Sequence, residues 1–234
     1  MFKHVKFVVF FLVLLTLELI CSSFLALNDF RYVTKPLLLT ALIVFFRSNA
    51  THLNKSTVTL TFLALVFSLL GDVFLLFQEH SHLFFILGLL AFLIAHILYV
   101  LVFSKTSTSL LNARYVLIAL VAYALLLFNL LKDNLNEMLI PVIAYMLVIL
   151  SMATYAYLRK GQVSSQSFVL VFTGALLFLI SDSILALNKF YKPMPLANLS
   201  IMLTYGLAQL LIVLGILQQG EHLNLNLNLN QNKK

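Results

Sequence analysis

Long apolar runs separated by short polar stretches set the pattern of this chain. A helix rises 1.5 Å per residue, so about 20 mostly apolar residues cross about 30 Å of hydrocarbon. Eight runs predict spans: Val5 to Leu27, Pro36 to Phe46, Ser56 to Phe77, Leu83 to Phe103, Tyr115 to Leu131, Met138 to Leu158, Ser167 to Leu187 and Leu196 to Leu217. The second run is short. It spans only by extending back over Tyr32, Val33, Thr34 and Lys35, or where the bilayer thins around it. The expected fold is all-α: a polytopic integral membrane protein built as an eight-helix transmembrane bundle.

Composition agrees with the pattern. Of 234 residues, 62% are apolar and 10% charged, and the mean hydropathy is +1.04. A soluble domain carries about 25% charged residues, so a water-soluble fold is excluded. Disorder and a nucleic-acid partner fall away too, because the net charge of +7 is scattered at the edges of apolar blocks rather than gathered on one basic face. The single cysteine, Cys21, follows Ile20, too large for a lipobox. With Glu18 interrupting the run and no clean small-residue cleavage site, the first run reads as a retained helix. Residues 1–220 are expected to form one transmembrane domain, and 221–234 a polar, low-complexity cytoplasmic tail.

Orientation follows from the basic residues. With the N-terminus inside, the inner segments hold ten: Lys3, Lys6, Arg47, Lys55, Lys105, Arg114, Arg159, Lys160, Lys233 and Lys234. The outer ones hold five: Arg31, Lys35, Lys132, Lys189 and Lys192. Both termini are therefore expected in the cytoplasm, in a bacterial inner membrane.

Ionisable residues within apolar runs each cost roughly 2.5–3.5 kcal/mol at mid-helix, so each needs a partner or a purpose. Asp72, Asp182, Glu18, Lys35 and His96 qualify. The Asp72 and Asp182 segments resemble each other, with a small residue directly before the acid, a leucine three after it and an aromatic four or five before it. Their runs are four apart and cross in the same direction, each acid roughly 8 Å from the outer end. A parallel repeat of four helices plus four would let the two carboxylates face one another. Gly88, Phe92, His96 and Tyr99 form one stripe of the fourth run, and Tyr205 with Gln209 one of the eighth. Gly71 and Gly88 would permit close helix approach beside Asp72.

These residues carry a resemblance. Thr34-Lys35-Pro36-Leu37, Phe67-Ser68-x-x-Gly71-Asp72, Phe85-x-x-Gly88-x-x-x-Phe92-x-x-Ala95-His96-x-x-Tyr99, Phe178-x-x-Ser181-Asp182-x-x-Leu185-Ala186 and Tyr205-x-x-Ala208-Gln209 stand in this order over nearly the whole chain. Together they resemble the YhhN-like membrane family, whose characterised members are lysoplasmalogenases. The resemblance implies hydrolysis of the vinyl ether of a lysophospholipid to a fatty aldehyde and a glycerophospho-base. It implies site roles for Lys35, Asp72, His96, Tyr99, Asp182 and Gln209; Glu18 matches no motif.

That chemistry suits the residues. Protonating the carbon beta to the ether oxygen gives an oxocarbenium ion that water captures, so the site needs a proton donor and a negative charge. Two carboxylates in a low-dielectric site supply both, one protonated and one ionised. Which takes which role is open at this stage. Lys35 and His96 would bind the phosphate or tune the pair, and Lys35, nearer the outer surface, is the better phosphate ligand. No cofactor is called for. Zinc ligation by His80, His82 and Asp72 is disfavoured, because His80 and His82 sit at the water boundary and no second close-spaced His or Cys set exists. A transporter using the same acids as proton or cation sites is the alternative class. A one-chain lipid further predicts a cavity joining a polar outer mouth to an apolar slot lined by residues such as Phe92 and Leu185.

Overall fold

The computed structural model describes residues 4–231, with the side chains of Leu25 and of residues 220–231 outside the description. Eight α-helices form: α1 (Val5–Ser23), α2 (Arg31–Asn49), α3 (Lys55–Leu76), α4 (His82–Ser104), α5 (Arg114–Leu131), α6 (Leu139–Leu158), α7 (Ser165–Ala186) and α8 (Ala197–Gln231). Polar residues at the run boundaries start several of them. The side chains of Asn54, Ser81 and Ser164 accept from the backbone N–H groups of Thr57, Leu83 and Ser167, which satisfies otherwise orphaned helix donors. The first run ends earlier than expected. α1 stops at Ser23, and a tight 3₁₀ turn over Leu25–Phe30 leads into α2. The tail reading for 221–234 falls on side chains outside the described residues.

Seven helices are long and apolar enough to cross a membrane on their own; α2 is the exception. It carries Arg31, Lys35 and Arg47 within 19 residues. It does extend back over Tyr32 to Lys35, as crossing requires, and at 1.5 Å per residue reaches roughly 28 Å. Its two ends are fixed at different depths. Lys35 meets Asp72, which also holds Tyr205 of α8, while His52, just after α2, lies 2.7 Å from the Leu217 carbonyl. Tyr205 and Leu217 are roughly 18 Å apart along α8, so α2 runs the depth of the bundle beside it.

The packing follows a shift of four helices. α3 lies against α4 as α7 lies against α8, α2 against α3 as α6 against α7, and α8 against α2 as α4 against α6. Glycines bring the two tight pairs together. A Cβ on Gly71 would come within 2.7 Å of the Phe92 ring, and one on Gly174 within 2.9 Å of the Ala208 carbonyl oxygen. The halves part at one contact. α1 packs on α8, with Leu15 filling the space at Gly206, whereas α5 barely touches α4. The main core is built from α1, α2, α3, α4 and α8 with parts of α6 and α7. Two smaller apolar clusters lie around α5, one containing Phe85, Leu131 and Val142 and the other Leu120, Leu150 and Leu179.

Candidate active site

Asp72 sits near the end of α3, where Gly71 lets α4 close over it. Its Oδ1 lies 3.3 Å from the Lys35 ammonium, and the Tyr205 hydroxyl donates to Oδ2 at 2.7 Å. Lys35 is only 6% exposed, so it is drawn into the bundle by this acid rather than reaching out to the interface. One turn deeper, Gln209 donates to Ser68 at 2.9 Å and accepts from the Tyr99 hydroxyl at 2.7 Å. Lys35, Asp72 and Tyr205 thus form one polar group, and Ser68, Tyr99 and Gln209 a second directly below it, while His96 of α4 lies elsewhere.

Glu18 is fully buried and accepts from Arg31 Nε at 3.0 Å and from the Thr34 hydroxyl. It anchors the first turns of α2, which present Lys35. Arg31 spends only Nε on it, leaving the ends of the guanidinium fork for other acceptors.

Asp182 occupies the matching place on α7. Its Oδ2 accepts from the Tyr145 hydroxyl at 2.7 Å, and His96 Nε2 stands 3.7 Å away, beyond hydrogen-bond length. His96 is fully buried, and neither of its ring nitrogens has a hydrogen-bond partner. The ring is packed edge to face against Tyr145 and Phe178, at 5.3 and 4.5 Å between centroids.

The expected face-to-face pair of acids therefore takes a different form. Asp72 and Asp182 share no partner. Phe178 stands between their clusters, touching Tyr205 on one side and His96 on the other, at 5.4 and 4.5 Å between centroids. Each acid is held by the helix preceding its own and by the last helix of the other half: α2 and α8 for Asp72, α6 and α4 for Asp182. The Phe178 ring keeps the two carboxylates in separate clusters.

Two cavities meet beside them. A polar mouth of about 370 Å³ is lined by Ser22, Asn28, Arg31, Lys35, Glu79 and Asn198 among others. A narrow apolar slot of about 60 Å³ runs among α4, α5, α6 and α7, with Phe92, Tyr145, Leu179 and Asp182 on its walls. Leu75 and Leu185 line both, so the slot and the mouth lie side by side with these two leucines at their boundary. The slot occupies the space left where α5 stands away from α4.

Sequence reasoning missed Tyr145 and Arg31, which contact Asp182 and Glu18 respectively. It also missed Arg159 at the opposite end of the bundle. Arg159 is fully buried and donates to Thr106, Ser167 and Gln219 at 3.1, 3.0 and 2.9 Å. Burial lowers its guanidinium to about 10, so it stays charged at neutral pH. His80 and His82 do not join Asp72, and no group of three His, Cys, Asp or Glu side chains gathers among the described residues.

The motif order and this geometry agree with a comparison of families: the YhhN family model matches residues 30–216. The chain belongs to the YhhN family. Its similar relatives include lysoplasmalogenase TMEM86A of cattle, 31% identical over 173 residues, covering 72% of this chain and 70% of the relative. Human lysoplasmalogenase TMEM86B is 36% identical over 155 residues, covering 66% and 62%, so this YhhN protein spans a little under two thirds of that relative. Human lysoplasmalogenase TMEM86A is 34% identical over 172 residues. No solved structure matches.

Proposed function

We propose that this YhhN protein hydrolyses the vinyl ether of a lysoplasmalogen-type lysophospholipid. The observation that carries this reading is a polar mouth beside an apolar slot that has a carboxyl group on its wall. A single-chain lipid suits that division: its head lies among Arg31 and Lys35, and its vinyl ether with the first carbons of its chain passes Leu75 and Leu185 into the slot where Asp182 stands. The relatives named as lysoplasmalogenases support the same reaction class.

The two acids divide the work by their partners. Asp182, facing a phenol and an imidazole in an apolar slot, carries the proton and delivers it to the carbon beta to the ether oxygen. The carbon bound to oxygen becomes an oxocarbenium ion. Asp72, ion-paired to Lys35 behind Phe178, stays outside the slot and favours that ion by its charge alone, across the low-dielectric interior. Water adds to the cationic carbon and gives its proton to the Asp182 carboxylate, restoring the acid, and the hemiacetal collapses to a fatty aldehyde and the glycerol hydroxyl. The excess of basic residues on the other face puts the mouth on the outer side of the membrane.

The test is incubation of purified protein with vinyl ether, alkyl ether and ester lysolipids, scoring free aldehyde. Aldehyde from the vinyl ether substrate alone supports the reading. No aldehyde, together with ion flux in protein-loaded liposomes, replaces it with a transporter.

A further inference from the structure

The acids of this chain are confined to one end of the bundle. Every Asp and Glu among the described residues lies towards the ends of α1, α3 and α7 or in the connections at that end. The opposite end carries cations and, among those residues, no acid. Between α2 and α3 it holds a cavity of about 360 Å³, nearly as large as the mouth. Arg47 and Lys55 stand on its wall with Thr51 and Thr59, and Leu53 and Val58 make part of it apolar. Arg31 and Lys35 of the mouth are each paired with a buried acid, whereas neither Arg47 nor Lys55 forms an ion pair among the described residues. A third cation, Lys105 of α4, donates to Ser56 beside Lys55.

The depth of the cavity selects its ligand. The Arg47 guanidinium lies 5.7 Å from the centroid of the Phe62 ring, which stands roughly 10 Å into α3. A bilayer that covers Phe62 therefore brings its phosphate layer to the level of Arg47 and Lys55. Cations that no acid balances suit a phosphate whose own charge no amine offsets. We propose that this cavity holds the head group of an anionic phospholipid from the surrounding leaflet, its phosphate clamped between Arg47 and Lys55 and its glycerol against Leu53 and Val58. Seated there, the lipid ties the last turn of α2 to the first of α3, the two helices that join Lys35 to Asp72 at their other ends. The site is separate from the mouth and does not depend on the lysolipid reading.

The test adds phosphatidylglycerol, phosphatidylcholine or inorganic phosphate to the purified full chain in neutral detergent, and reads Tm together with the lipid retained in native mass spectrometry. Phosphatidylglycerol should raise Tm by about 4 °C and leave one lipid bound, while the other two give less than half that shift. Arg47→Gln with Lys55→Gln should abolish both effects. Arg114→Gln with Lys160→Gln removes the same charge from the same end, outside the cavity, and should keep them; all four side chains are exposed, so neither double variant disturbs the core. A full shift in the Arg47 and Lys55 double variant overturns the site. Equal loss in both double variants replaces it with diffuse surface attraction, and an equal shift from inorganic phosphate replaces the lipid with a soluble anion.

Discussion

Asp72 and Asp182 stand at equivalent points of the two halves of the bundle, yet their surroundings differ in kind. Around Asp72 every polar atom is engaged: an ammonium, a phenol and, one turn below, the Tyr99, Gln209 and Ser68 chain. Around Asp182 one phenol is engaged and an imidazole is left without a hydrogen-bond partner, in the wall of an open slot. The same backbone frame thus holds one acid as a locked ion pair and the other as a group with room for a substrate. The difference traces to two features. α2 brings a lysine where α6 brings a tyrosine, and α5 stands off from α4 where α1 packs on α8.

The largest effects should come from the acids themselves. Asp182→Asn and Asp72→Asn should each lower kcat by at least about 100-fold, the scale of general acid catalysis. The double variant should be little worse than either, since members of one catalytic unit are not additive. Steady-state aldehyde release from folded, membrane-inserted protein checks this. A full rate in either variant would return that acid to a structural role.

Lys35→Met sharpens the contrast. Were Lys35 only a phosphate ligand, KM alone would rise. Because it balances buried Asp72, kcat should fall as well, and stability by about 3–5 kcal/mol, as when one partner of a buried pair is removed. Thermal unfolding beside a kinetic assay separates the two terms.

The tyrosines should rank next. Tyr145→Phe removes the one side-chain hydrogen bond that Asp182 receives among the described residues and should cost about tenfold in kcat. Tyr205→Phe leaves Asp72 its lysine and should cost less. A reversed order, read from the same assay, would contradict the division of roles.

Arg159→Lys, outside both clusters, should lower stability by about 1–3 kcal/mol through lost hydrogen bonds while kcat stays within about twofold. A chelator should leave the rate unchanged, since the mechanism is carried by carboxyl groups.

Much of this was legible in the sequence for one reason: charge in an apolar run is conspicuous. Asp72, Asp182, Glu18, Lys35 and His96 stood out that way, and all five are engaged in or beside the two clusters. The helical stripes carried Tyr99, Tyr205 and Gln209, and the recurring Asp segments pointed to the fourfold shift now seen in the packing. Tyr145 was hidden because a tyrosine is uncharged and commonplace in membrane helices; only its place on α6, the counterpart of α2, marks it. Arg31 and Arg159 looked like loop cations at run ends, because hydropathy reports position along the chain and not burial. The separation of the acids by Phe178 depends on where rings meet between helices, which no linear pattern contains.

The central claim is that carbon, not oxygen, receives the first proton. Hydrolysis of a vinyl ether lysolipid in D2O, with the aldehyde trapped as it forms and weighed by mass spectrometry, tests it most directly. The account predicts one deuterium on the carbon next to the carbonyl, in wild-type protein and in the residual product of Tyr145→Phe. Aldehyde released without deuterium at that carbon would contradict it.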